Sequence, residues 1–156
     1  MHDRSGRILE AAVGTGRNFP FYPPGSQVVG IDLSPAMLAR AQRRRETAAA
    51  AVELRQMDVT QLDFPDRSFD AAVATLLFWA LLGAAMRELR RVVKPGGVIR
   101  CLEYDQSGRR IRRTCQIFEL PEGAMVARGQ LVGSCVLRWQ PIRRCVKLAF
   151  GLTGNR

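Results

Sequence analysis

The chain has 156 residues, 47% hydrophobic and 24% charged, proportions that exclude wholesale disorder and fit one globular domain. Its 24 Lys and Arg outnumber its 14 Asp and Glu, for a formal net charge of +10. The single histidine, His2, excludes a Ser-His-Asp triad and any metal site built on two histidines.

In chain order, residues 7–12 form a short apolar run that ends in glycine-rich sequence, which predicts a buried strand and a tight turn. A second strand is predicted over 27–31, entered through Pro23-Pro24-Gly25. Asp32-Leu33-Ser34-Pro35 then starts a helix. Ser34 caps it, Pro35 takes the first helical position, and Met37, Leu38 and Ala41 fall on one face. Arg43, Arg44 and Arg45 near its end complement the helix dipole. Residues 52–57 and 69–74 are predicted as the third and fourth strands. A helix over 84–93 turns Ala85, Met86, Leu89 and Val93 toward the sheet, Pro95-Gly96-Gly97 ends it, and a fifth strand covers 98–102. Alternating strands and helices predict an α/β fold with a parallel sheet covered on both faces. Beyond 103 the pattern weakens, with strands suggested at 116–120 and 131–139 and a basic amphipathic helix at 141–150.

The cysteines, Cys101, Cys115, Cys135 and Cys145, contain no C-x-x-C pair, so they read as reduced thiols rather than as a zinc or redox site. No apolar segment follows the first residues as a signal peptide would require. The longest uncharged run, 71–86, has 16 residues, short of the roughly 20 that span a bilayer. The expectation is a soluble, cytoplasmic protein. Charge is uneven: residues 1–103 carry a net +3, and residues 104–156 a net +7. The excess, in Arg109-Arg110, Arg112-Arg113, Arg143-Arg144 and Lys147, is either a solvated surface or a contact for an acidic partner.

The segment from Ile8 to Gly16, ILEAAVGTG, is the informative one. A glycine turn after a first parallel strand lets a ligand approach the backbone, and an acidic residue ending the next strand can take ribose hydroxyls. Asp32 stands 20 residues after Ala12, the spacing such a pair requires. The dinucleotide pattern fails at its third glycine, which is Phe19, and no phosphate-binding G-x-x-x-x-G-K-[ST] loop exists. Taken alone, the glycine pair is equally compatible with a plain strand–helix turn.

Five ordered blocks resemble the class I S-adenosylmethionine-dependent methyltransferases, most closely their ubiquinone/menaquinone and phospholipid N-methyltransferase branch. They are Glu10-x-Ala12-x-Gly14-x-Gly16, GIDLSPAML from Gly30, Asp58-Val59, FPDRSFD from Phe64 and ELRRVVKPGG from Glu88. Ala12 stands where the family usually has glycine. The resemblance covers residues 7–104. It implies a Rossmann-like, doubly wound, mainly parallel sheet, with residues 1–104 as the cofactor-binding core. Residues 105–156 would be a basic extension, a divergent completion of the same domain.

The cofactor implied is S-adenosyl-L-methionine, held by Glu10, Ala12, Gly14, Thr15, Gly16, Asp32, Leu33, Met37, Asp58, Val59 and Thr75. Asp32 would take the ribose hydroxyls, Leu33 and Met37 would wall the adenine, and Asp58 and the Val59 amide would bond its edge. Methyl transfer from a sulfonium works largely by alignment, so no catalytic side chain is assigned. Tyr22, Leu77, Phe78 and Trp79 are the candidate substrate residues. Phe78 and Trp79 suggest a lipophilic small-molecule acceptor, or are plain core. Tyr22 either covers the site or packs on it.

Arg143, Arg144 and Lys147 could then hold the protein peripherally on an anionic membrane. No [ND]-P-P-[YF] tetrapeptide follows the fourth strand, which argues against a nucleic-acid substrate. Family members carry helices ahead of the first strand and two strands at the end, the last pair antiparallel. Here six residues precede the first strand, and the last 53 match poorly. The expectation is either a trimmed or divergent domain or one that needs a partner subunit to close its site, with a homo-oligomer also open. The alternative is a non-catalytic domain of the same fold.

Overall fold

The computed structural model describes residues 6–75, 82–105 and 112–119. Six strands form one sheet in the order β3-β2-β1-β4-β5-β6. They are β1 (Arg7–Ala11), β2 (Gln27–Asp32), β3 (Ala51–Gln56), β4 (Phe69–Thr75), β5 (Val93–Asp105) and β6 (Arg112–Glu119). The first five run parallel, and β6 is antiparallel to β5. Helix α1 (Pro35–Arg45) follows β2, and α2 (Leu82–Val92) precedes β5. From β1 the chain steps outward to β2 and β3, and it then returns to the other side of β1 as β4 and β5. The order reverses between β1 and β4, so the crevice for a ligand lies beyond the carboxyl ends of those two strands.

Alternation along β1 divides the core. Leu9 and Ala11 face α2, where they join Val29, Ile31, Ala72 and Leu89. Phe64 and Phe69 close that side edge to face, with centroids 5.0 Å apart. Ile8 faces the other way, with Val28, Ala41 of α1, Phe19 and Tyr22. The connection from β1 to β2 contains only a 3-10 turn, Phe19–Phe21, because Pro20, Pro23 and Pro24 deny it a longer helix. Phe19 is fully buried and does the packing a helix would do there.

Helix α1 starts as its sequence dictates: Ser34 Oγ accepts from the Met37 amide at 3.3 Å, and Pro35 follows. Its buried face is narrower than the spacing predicts. Ala41 is buried and Leu38 half-buried, but Met37 points outward. In α2, Ala85, Met86 and Leu89 face the sheet as expected.

Three boundaries differ from the sequence reading. Val93 begins β5 instead of ending the helix. Pro95-Gly96-Gly97 is a bulge inside that strand rather than the gap before it. The β4–β5 pairing jumps from Phe69↔Val93 to Ala71↔Val98, so the extra residues leave the ladder. Gly96 has φ +78, and a Cβ on Gly97 would lie 2.7 Å from the Asp70 carbonyl oxygen. Only glycine fits such a close approach. Finally, the strand expected at 116–120 is β6, which starts at Arg112 and pairs from Asp105↔Arg112 to Val98↔Glu119. The strand suggested at 131–139 and the helix at 141–150 lie outside the described residues.

Candidate functional site

The site is built where β1, β2 and β4 end. After Ala11 the chain passes through three left-handed residues, Ala12 (φ +53), Gly14 (φ +54) and Gly16 (φ +74). The Val13 amide bonds the Ile31 carbonyl at 2.9 Å, and the Gly16 amide bonds that of Val13 at 2.9 Å, so the turn is pinned to β2 and to itself. A Cβ on Gly14 would meet only the Ala12 oxygen, 3.9 Å away, and would otherwise project into open space. One on Gly16 would strike the Phe19 ring at 2.4 Å. Gly14 therefore bares backbone to the crevice, and Gly16 is required by packing beneath it.

Asp32 ends β2 and faces this turn. Its Oδ2 accepts the Gly14 amide at 2.8 Å, and its Oδ1 the Ser34 amide at 2.9 Å. A carboxylate accepts about four hydrogen bonds, so each oxygen keeps capacity for a ligand hydroxyl. Leu33 and Met37, just beyond, are 57% and 38% exposed. Two large apolar side chains are thus left uncovered beside Asp32. The Met57 amide bonds the Asp32 carbonyl at 3.2 Å, which brings the end of β3 alongside. There Asp58 Oδ1 accepts both the amide and the hydroxyl of Thr60, each at 2.8 Å, and these bonds hold its carboxyl below the usual range. Val59 is buried.

Glu10 lies beneath the turn and is 1% exposed. Asn18 Nδ2 donates to its Oε1, and the Tyr22 hydroxyl donates to its Oε2, both at 2.9 Å. Desolvation dominates these two bonds and pushes the carboxyl up to about 7. Tyr22 is itself buried, so of its two readings the structure shows packing, with its hydroxyl spent on Glu10. Thr75, at the end of β4, accepts from the same Asn18 nitrogen at 2.9 Å. Thr15 turns its hydroxyl and carbonyl to Arg44 of α1, at 2.6 and 2.7 Å.

Of the eleven expected cofactor residues, hydrogen bonds join Gly14 to Asp32 and, through Asn18, Glu10 to Thr75; Leu33 and Met37 are exposed, Thr15 is turned to Arg44, and Glu10, Gly16 and Val59 are buried. Leu77, Phe78 and Trp79 lie outside the described residues. Two participants are new: Asn18, which joins Glu10 to Thr75, and Arg44, which holds the turn from outside. An asparagine after glycines is ordinary turn composition, and Arg44 sits in a triplet already explained by the helix dipole, so neither carried a signal.

A parallel sheet with its order reversed at a glycine turn, and with an acidic residue ending the adjacent strand, defines a Rossmann-like domain for an adenosyl ligand. The family model described as a methyltransferase domain matches residues 9–101. The chain belongs to that family. It is 43% identical over 103 residues to a phosphatidylethanolamine N-methyltransferase of Cereibacter sphaeroides, covering 64% of this chain and 51% of the relative. It is 40% identical over 103 residues to a demethylmenaquinone methyltransferase of Thermus thermophilus, covering 63% and 47%. A solved S-adenosylmethionine-dependent methyltransferase of Aquifex aeolicus superposes with a TM-score of 0.60 at 20% identity, over 67% of this chain and 60% of that one, and shares the fold. The chain spans about half the length of the curated relatives it matches.

The family's cofactor is S-adenosylmethionine, and the residues present fit it. Gly14 leaves the space a ligand needs, Asp32 keeps free acceptor capacity, and exposed apolar side chains flank it. The buried Glu10 carboxyl makes no ion pair among the described residues, which suits a cationic ligand.

Proposed function

We propose that this chain transfers a methyl group from S-adenosylmethionine to a small lipophilic acceptor, a lipid or a quinone. The observation that carries the reading is the Gly14–Asp32 hydrogen bond, which fixes a bared turn against a carboxylate at the point where strand order reverses. The names of the two curated relatives support the acceptor class.

When bound, the cofactor supplies an electrophilic methyl carbon on a sulfonium that leaves as a neutral thioether. The chain's own residues align it for in-line displacement. Asp32 holds the ribose hydroxyls, and Leu33 and Met37 give the adenine an apolar wall. Asp58 and the Val59 amide would bond the adenine edge, and the buried Glu10 would oppose the charge of the amino group from beneath the turn. Fixed placement of two reactants supplies much of the rate, which is why a site without a dedicated base can work.

No described helix is long and apolar enough to cross a membrane. The basic residues after 104 suit peripheral contact with anionic lipid, where a lipophilic acceptor would be met. The test is transfer of radiolabel from S-adenosylmethionine into a total lipid extract, followed by chromatographic separation. Label in an apolar fraction is the expected result. Cofactor binding with no labelled product in lipid, quinone or aqueous fractions would assign the domain a non-catalytic role.

A further inference from the structure

Helix α1 carries more positive charge than its dipole asks for. Its sequence, PAMLARAQRRR, contains Arg40, Arg43, Arg44 and Arg45 and no acid. The last three lie in the final turn, where the dipole favours them, but Arg40 lies in the middle of the helix. Arg45 turns inward and donates to the Val52 carbonyl at 3.5 Å. Arg40, Arg43 and Arg44 are exposed. At about 100° per residue they share one strip of the helix, opposite the half-buried Leu38. Arg40 stands one turn from both Arg43 and Arg44, a like-charge spacing that weakens a helix. Among the described residues none of the three forms an ion pair. The nearest acids in sequence are Glu46 at the C-cap and Asp32, whose oxygens are turned to the Gly14 and Ser34 amides.

The strip continues onto the loop after β1. Arg44 Nη1 donates to the Thr15 carbonyl and hydroxyl at 2.7 and 2.6 Å, and Arg17, two residues further, is exposed. The 3-10 turn Phe19–Phe21 comes next. Phe19 is buried in the cluster that contains Ala41 of α1, but Phe21 is 48% exposed, with Pro20 and Pro24 exposed beside it in sequence. The prolines and the bond from the Phe21 amide to the Asn18 carbonyl, 2.9 Å, restrain the backbone under that ring. At the other end of the strip, exposed Met37 precedes Arg40 by one turn and flanks the crevice with Leu33.

We propose that Arg17, Phe21, Arg40 and Arg43, with Arg44 beside them, form a docking surface for an anionic lipid bilayer. The guanidinium groups take lipid phosphates, and the Phe21 ring enters the boundary between headgroups and acyl chains. Charge complementarity carries the assignment: anions relieve a repulsion that nothing else among the described residues opposes. Shape favours a bilayer over a polynucleotide. The arginines run along a convex helix, whereas a single strand is tracked by a groove with several stacking rings, and here one ring stands at the edge of the strip. The surface is distinct from the basic residues after 104. In purpose it rests on the lipophilic-acceptor reading, because it brings the Leu33 and Met37 edge of the crevice to the lipid, but the contact itself is measured without turnover.

Co-sedimentation of the full chain with phosphatidylcholine vesicles, with and without about one third phosphatidylglycerol, decides it. Wild type should bind the anionic vesicles alone, and more weakly as salt rises. Arg40→Gln combined with Arg43→Gln should weaken that binding by roughly tenfold or more. Phe21→Ser, a separate variant, should weaken it by roughly threefold or more. Each should keep the wild-type thermal midpoint, which separates lost docking from lost fold. Binding unchanged in both variants, and lost only in Arg143→Gln with Arg144→Gln, would assign the contact to the tail and overturn the proposal. So would equal binding to neutral vesicles, or no binding to either kind. Binding of a labelled oligonucleotide without binding of anionic vesicles would make the strip a nucleic-acid contact and overturn it as well. Docking as expected, with no label transferred to lipid or quinone, would sink the acceptor reading and not the docking surface.

Discussion

Ala12 holds a conformation that its side chain resists. At φ +53 its Cβ crowds the neighbouring carbonyl, a cost of roughly 1–2 kcal/mol for an L-residue. The turn pays it because the Val13 amide must reach Ile31 and the Gly14 amide must reach Asp32. Ala12→Gly should therefore raise stability by about 1 kcal/mol, less the small entropy glycine adds to the unfolded chain. A shift of the urea midpoint with unchanged slope would show it, and no shift would mean the strain is relieved elsewhere. Asp32 and Asp58 answer a different question. Asp32→Ala removes the acceptor of two backbone amides, so it should weaken cofactor binding by roughly 1.5–3 kcal/mol and also lower stability. Asp58→Ala should weaken binding comparably in titration calorimetry. Unchanged affinity in both variants would remove these carboxylates from the site. The glycine turn and Asp32 were readable from residue type and spacing, while Glu10 and Asp58 entered only through the family resemblance. The left-handed state of Ala12 was not, because alanine carries no sign of it, and neither was the inward turn of Tyr22, which depends on the depth of Glu10.

The segment between β3 and β4, residues 57–68, has no regular structure, yet it carries Asp58 and Val59. It is held by two side chains of α2, Arg91 and Glu88. Arg91 spends all five N–H donors. Nε and one Nη2 hydrogen go to Glu88, the other Nη2 hydrogen to the Leu62 carbonyl, and the two on Nη1 to the Phe64 carbonyl and Asp66. Glu88 in turn accepts the Leu62 amide at 2.9 Å. The Arg91 hydrogen bonds are the main reason the Glu88 carboxyl sits below its usual range. A planar fork makes this set, and an ammonium cannot. Arg91→Lys should cost about 2 kcal/mol in chemical denaturation, since two carbonyls lose their donor while the charge is kept. It should also weaken cofactor binding through the displaced Asp58. A loss of stability below about 0.5 kcal/mol would show that the segment holds itself. At this scale the parallel strands and both helices followed from apolar periodicity and from the caps. Arg91 did not, because its partners outside α2 lie 25 to 29 residues away and no local pattern records them. Pro95-Gly96-Gly97 misled for the opposite reason. Its composition marks an interruption, but whether the chain leaves the sheet or bulges within it depends on the neighbouring strand.

For the whole molecule, the placement of Glu10 sets folding and binding against each other. The unfolded chain loses the proton near 4.5, and the folded one keeps it to about 7. Between those values the folded state binds more protons, so stability falls as pH rises through the window and levels off above it. The full penalty is of order 3 kcal/mol at alkaline pH, and it is zero well below 4.5. Asp58 and Glu88 act in the other sense. The Thr60 bonds and Arg91 hold their pKa values down, so the stability they contribute is present above about pH 4 and is lost as pH falls further. The net positive charge adds self-repulsion on the acid side. Thermal stability of the ligand-free chain should therefore peak near pH 5 to 6 and decline toward pH 8. In Glu10→Gln the alkaline decline should shrink by most of that penalty while the acid limb stays as it was. A thermal midpoint that keeps rising through pH 8 in the wild type would show that Glu10 is not held neutral by its burial. The ionised carboxylate best suited to a cationic ligand is the form that strains the fold, so added S-adenosylmethionine should restore more stability at pH 8 than at pH 6, a difference that thermal shifts at matched ligand concentration measure directly.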